Sequence, residues 1–201
     1  MIGLPKLVVI TDWSLGEERL FARLQPALAA HRFVAVQHRN PAATARTYFE
    51  QGQRLKALCD RLGAPLFVSA RLDVALALET HLHLPGWALG AAQVRGRLPA
   101  GRWLSVAVHN EEEAGRARGA DLALVSPVFA TASKPAVAPL GPEGFARLAQ
   151  AVGCPAYALG GLTPARLSTL PGAAGAAVIS AVLAAEDPAA AARAFGAACP
   201  G

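Results

Sequence analysis

Eight short runs of apolar and β-branched residues punctuate this chain, and a helical pattern follows each one. The runs fall at residues 7–11, 33–37, 65–69, 81–84, 103–108, 122–125, 156–159 and 175–179. Helical patterns occupy 15–31, 42–62, 72–78, 90–97, 110–118 and 141–152, then start at Thr163–Pro164 and at Ser180, with a last one over 188–198. Such alternation predicts parallel strands joined by crossover helices, an α/β architecture. Eight units are more than the five or six strands usual for an open doubly wound sheet, so the expectation is a closed (β/α)8 TIM barrel. No linker, low-complexity segment or repeat divides residues 1–201, which predicts one barrel domain, shorter than the usual size of about 250 residues. Local punctuation agrees. Gly63 stops the second helix, and Asn110 is placed to cap the fifth, with Glu111, Glu112 and Glu113 in its first turn.

Composition narrows the function classes. Over half of the residues are hydrophobic, 53%, which excludes a disordered chain. No apolar run reaches the roughly 18 residues of a membrane span, and the first residues turn polar too early for a secretory signal. A cytoplasmic protein that contacts no membrane is expected. Cys59, Cys154 and Cys199 are odd in number and far apart, and are expected as structural thiols. The net charge of +5 is carried by scattered arginines interleaved with acids, without a basic stripe or an aromatic platform. Nucleic acid is therefore not an expected partner, and a small anionic ligand is.

The stretch 155–183, PAYALGGLTPARLSTLPGAAGAAVISAVL, places two strand-to-helix turns in succession. Gly160 and Gly161 lack a Cβ that would keep a ligand from the backbone, and a helix starting after Ile179 at Ser180 aims N–H groups at the same place. Together these positions form a phosphate cup of the kind found after strands 7 and 8 of such barrels. An ordinary βαβ unit with a glycine turn is the alternative.

Chemistry in a barrel sits where the strands end. Arg39 stands at such an end and is suited either to a ligand carboxylate or phosphate, or to an ion pair with Asp12. Gln37, two residues earlier, points to the same side. His109 ends strand five, either as a proton shuttle near neutral pH or as a hydrogen-bonding group at the helix start. His38 points away from Gln37 and Arg39, while His81 and His83 lie on the least certain strand; none of the three is expected to be catalytic. The histidine and carboxylate spacings do not suit a metal set. In the loop SPVFATASKP (126–135), Thr131, Ser133 and Lys134 offer donors and a charge, either over a ligand or in solvent.

The segments VVITD (8–12), VQHR (36–39), VHNEEEA (108–114), GADLALVSPVFATASKP (119–135), LGPEGF (140–145), ALGGLTPARL (158–167) and GAAVISAVLAAEDP (175–188) resemble the thiamin-phosphate synthase/TenI family. That resemblance runs over nearly the whole chain and implies a barrel of about this size. It also implies one of two activities. The synthase branch joins a pyrimidine pyrophosphate to a thiazole phosphate and holds the pyrophosphate with magnesium. Its Asn-Asp pair after strand three falls on Ser69 and Ala70, and its second aspartate segment falls on HLPGWA (83–88), which has no carboxylate. Its basic residue after Q-x-R is Pro41, and its strand-five serine is Ala107. Magnesium calls for hard anionic oxygens, which these positions do not supply.

The segment 82–99, LHLPGWALGAAQVRGRLP, is similar to the TenI-type thiazole tautomerase branch, which works without metal. The resemblance therefore implies an isomerase of thiamin biosynthesis, with no cofactor. It would turn a carboxythiazole phosphate into its aromatic tautomer, with His109 shuttling the proton. Gln37, Arg39, Thr131, Ser133 and Lys134 would hold the substrate, and Gly160, Gly161, Ile179 and Ser180 its phosphate. A small phosphorylated thiazole is the expected partner, and a homodimer is permitted. The alternatives are a thiamin-phosphate synthase and a non-catalytic phosphate-ligand-binding protein of the same pathway.

Overall fold

A computed structural model describes residues 3–30, 33–131 and 136–199. Its strands are β1 (Leu7–Ile10), β2 (Val34–His38), β3 (Leu66–Ser69), β4 (His81–Leu84), β5 (Leu104–Val108), β6 (Leu122–Val125), β7 (Ala156–Leu159) and β8 (Ala173–Val178). Each pairs in parallel with the next, and β8 pairs with β1, which closes the barrel expected from the sequence. Helices α1 (Glu17–Ala29), α2 (Ala45–Leu62), α3 (Leu72–Ala77), α4 (Ala91–Arg95), α5 (Glu111–Gly115), α6 (Gly141–Ala151), α7 (Pro164–Ser168), α8 (Ser180–Leu183) and α9 (Pro188–Ala198) follow the strands in order. Strand β4, the least certain from sequence, is present over the expected residues. None of the described helices is long and apolar enough to cross a membrane.

Boundaries differ where local hydrogen bonds intervene. The first helix starts later than expected because Asp12 accepts the Ser14 N–H at 3.0 Å and its hydroxyl at 2.6 Å, folding Trp13–Leu15 into a 3-10 turn. The expected end of that helix at His31 lies outside the described residues. Strand β8 runs from Ala173 to Val178, so Ile179 is the residue that precedes α8 rather than the strand's last.

Two cores follow from the alternation of side chains along each strand. The larger one packs strand residues such as Val9, Val36 and Val68 under Leu20, Leu24, Leu55 and Phe145 of the helices. The smaller one fills the barrel lumen with Val8, Ile10, Ala35, Phe67, Leu122, Leu124, Tyr157 and Ala177.

Tyr48 of α2 ties the ends of two neighbouring strands together. Its hydroxyl lies 2.8 Å from the His38 carbonyl and 2.9 Å from the Ser69 carbonyl, and accepts the Ser69 N–H at 3.1 Å. These backbone groups belong to buried residues, and a phenylalanine here would remove the hydrogen bonds that the hydroxyl gives them. Tyr48→Phe is expected to lower the unfolding free energy by about 1–3 kcal/mol, read as a lower urea midpoint.

Candidate active site

A cavity of about 640 Å3 opens at the carboxyl ends of the strands. Side-chain size explains where it lies. Lower in the lumen, Phe67, His81 and Trp103 pack on one another with ring centroids 4.5–6.2 Å apart. Higher up, the inward residues of β3, β5 and β8 are Ser69, Ala107 and Ala177, which leave the space open.

The structure brings most of the residues singled out from the sequence to this cavity. Gln37, Arg39, His109, Thr131, Gly160, Gly161, Ile179 and Ser180 all line it. Ser133 and Lys134 lie outside the described residues. Gln37 is buried, and its amide bonds to no other described residue. Arg39 does not pair with Asp12, whose carboxylate is engaged by Ser14; Thr11 instead clamps the Arg39 backbone, its Oγ1 2.9 Å from the amide N. His38 points out of the barrel as expected, stacked on Tyr48 with centroids 3.9 Å apart.

The glycine pair behaves differently from the simplest expectation. Gly160 and Gly161 have φ of 101° and 62°, in the left-handed region that favours glycine. A Cβ on Gly161 would overlap the Ala130 carbonyl, and one on Gly160 would sit 3.0 Å from the Pro127 Cβ. The room their missing side chains provide is thus filled by residues 127–130 of the loop after β6, whose Phe129 N–H bonds the Gly160 carbonyl at 3.1 Å. The N–H groups of Gly161 and Ser180 donate to no other described residue, and both residues face the cavity. Such groups suit an anion.

Among the cavity residues not singled out from the sequence as site residues, four bear on the chemistry. His83 lines the cavity and is fully buried, with Nδ1 2.9 Å from Ser105 Oγ. Burial, helped by the nearby Arg39 and His109, lowers its pKa to about 3, so the ring is neutral. Trp87, 80% exposed, and Arg116 stand at the rim. Glu113 is the fourth, and among the described residues it is the single carboxylate lining the cavity. Asn110 caps α5 by accepting the Glu113 N–H at 2.9 Å. The Glu113 carboxylate then folds back, Oε2 accepting the His109 N–H at 2.9 Å and lying 2.6 Å from its ring Nδ1. An Asn-x-x-Glu cap signature was legible there; its reach to a histidine one position earlier was not.

The magnesium of the synthase branch can be tested against these residues. Ser69, Ala70 and residues 83–88 supply no carboxylate, and Glu113 is committed to His109. Among the described residues no group of three His, Cys, Asp or Glu side chains is placed to hold a metal ion. The side chains at this mouth do not fit that ion.

Fold and cavity together define an eight-stranded parallel barrel with a ligand-sized pocket at the carboxyl ends of its strands. The chain belongs to the thiamine monophosphate synthase (TMP-TENI) family, whose pattern it matches over residues 7–182. It is 39% identical over 194 residues to a thiamine-phosphate synthase of Chloroflexus aurantiacus, covering 94% of this chain and 89% of that one. It is 37% identical to a putative thiamine-phosphate synthase of Geobacter sulfurreducens, covering 94% and 92%. Among solved structures it resembles a thiamine phosphate pyrophosphorylase from Pyrococcus furiosus, with a TM-score of 0.81, 31% identity, and 96% and 94% of the two chains covered. The family expected from the sequence is thus confirmed. The names of these relatives favour the synthase over the tautomerase branch that the sequence suggested.

The buried histidines give a pH prediction. Burial lowers His38 and His81 to about 4 and His83 to about 3, all from 6.5. As pH falls through 6.5 the unfolded chain takes up these protons and the folded chain does not, so stability rises with pH in this window. The contribution is fully present above 6.5 and is lost between 6.5 and about 4. The urea midpoint is expected to fall steadily over that range; a flat midpoint contradicts neutral burial.

Proposed function

We propose that this enzyme is a metal-independent thiazole tautomerase acting on a carboxythiazole phosphate. The observation that carries the reading is a cavity with one carboxylate among the described residues, Glu113, and that one engaged by a histidine at the end of β5. Proton transfer needs a positioned histidine and facing cations; it needs no cluster of hard ligands.

In this reading the substrate phosphate sits against the N–H groups of Gly161 and Ser180, beside Gly160 and Ile179. Arg39 faces the substrate carboxylate, with Gln37 and Thr131 as hydrogen-bonding partners; Ser133 and Lys134 are further substrate-binding residues in this proposal. His109 takes a proton from the ring carbon. The electron pair left behind spreads toward the carboxylate, where cations stabilise it. The same imidazolium returns the proton to the exocyclic carbon, and the double bond moves into the ring. Aromatisation drives the direction.

A second reading is a thiamine-phosphate synthase, favoured by the names of the relatives at 37–39% identity. The two separate in one experiment. The carboxythiazole phosphate is followed by proton NMR with and without EDTA, alongside a mixture of pyrimidine pyrophosphate, thiazole phosphate and magnesium. Tautomerisation indifferent to EDTA is expected, and His109→Ala should slow it on the order of 10²–10⁴-fold. Thiamine phosphate formed from the mixture would instead establish the synthase. If the ligand binds wild type and His109→Ala alike and neither turns it over, the site is a binding site alone.

A further inference from the structure

The loop after β4 reaches the catalytic centre through a glycine. A Cβ built on Gly86 would lie 2.6 and 2.7 Å from the two carboxylate oxygens of Glu113. Those distances are too short for any real contact, so a side chain at position 86 and the present place of that carboxylate exclude each other. Gly86 does not have a positive φ, so its glycine is required by space and not by backbone conformation. The carboxylate held there bonds His109 twice through Oε2, to the backbone N–H at 2.9 Å and to Nδ1 at 2.6 Å. Its side chain is only 15% exposed.

We propose that Glu113 is a positioning residue that fixes the tautomer of His109, and that Gly86 provides the room its carboxylate needs. A carboxylate only accepts hydrogen bonds, so the ring must present Nδ1–H to it. The lone pair then falls on Nε2, which becomes the atom that exchanges a proton with the ligand. The backbone bond to the same oxygen keeps the carboxylate from following the ring if it turns, and the Asn110 cap fixes the helix that carries Glu113. Three segments thus converge on one proton position: the β4–α4 loop, the end of β5 and the first turn of α5. The inference rests on His109 as the proton shuttle, yet the tautomer is measurable without any substrate.

The test is nitrogen NMR of the histidine rings at about pH 8, above the ordinary histidine range, on wild type, Glu113→Ala and Gly86→Ala. Wild type is expected to show His109 protonated at Nδ1. Both variants should move it toward the Nε2–H form, Gly86→Ala by pushing the carboxylate off the ring while leaving it in the chain. Near-ultraviolet circular dichroism controls for folding. In the tautomerase assay both variants should lose kcat by roughly ten- to a hundredfold, by analogy with lost outer-shell partners, with KM little changed. An Nε2–H ring in wild type overturns the proposal, and an unmoved ring in Gly86→Ala overturns the part assigned to Gly86. Spectra that shift as expected in a chain without tautomerase activity would leave the positioning intact and reject the function proposed above.

Discussion

Inside the barrel, Tyr157 of β7 lies against the bare Cα of its β8 neighbour Gly175, and its hydroxyl donates to the Pro5 carbonyl beyond. A methyl group at position 175 would overlap the tyrosine ring and approach the Lys6 carbonyl to 2.6 Å, so ring and glycine come as a pair. Phe67, His81 and Trp103 complete this floor. With the lower lumen filled by these rings, the alanines and serine above it leave an opening at the carboxyl ends of the strands. The pocket is therefore a consequence of how residue sizes are graded along the strands. The same floor gives the loops a rigid base, which side chains must have if they are to meet a ligand in a fixed geometry.

The electrostatic character of the mouth follows from the same burial. His38, His81 and His83 are enclosed, and enclosure lowers the pKa of each far below 6.5. They are neutral rings that hydrogen-bond backbone or serine groups, and of the three only His83 lines the cavity. His109 stands apart, its side chain 30% exposed at the end of β5 and held by a carboxylate. Arg39 and Arg116 at the rim add positive charge, that of Arg116 partly offset by Glu112 at 3.6 Å. A small anion would be drawn toward this mouth.

Much of the architecture could be read in the chain because apolar runs and helix caps are local signals. β4, β6 and β7 lie where the runs placed them, and Asn110 caps α5 as its residue type suggested. The start of the first helix was misplaced because a local side-chain cap, Asp12 on Ser14, settles the geometry there. That Gln37, Arg39 and His109 line the cavity was legible because strand position alone fixes which way they face. His83 was not. Its role depends on Ser105 across the β4–β5 pairing and on how completely its neighbours enclose it, and neither is written in its own segment. Glu113 was read as a helix-start charge, which it is; that its carboxylate returns to His109 depends on the room left by Gly86. For the glycine pair, position was legible and cause was not, since a distant loop occupies the space.

Ala70, just beyond β3, has φ of 66°, a left-handed conformation that costs an alanine on the order of 1–2 kcal/mol and that Asn and Asp adopt more readily. The resemblance to the synthase branch puts an acid at this position. The turn keeps the shape such a residue would favour while presenting only a methyl group. What holds it is independent of that side chain. The Ala70 N–H bonds the His83 carbonyl at 2.9 Å, and Tyr48 grips both backbone groups of Ser69 next to it. Because the scaffold under the mouth is fixed by backbone contacts and by a tyrosine from outside the barrel, the residues facing the ligand can change without disturbing the fold. An alanine can thus stand where the synthase branch has an acid, on a turn whose shape does not depend on that side chain.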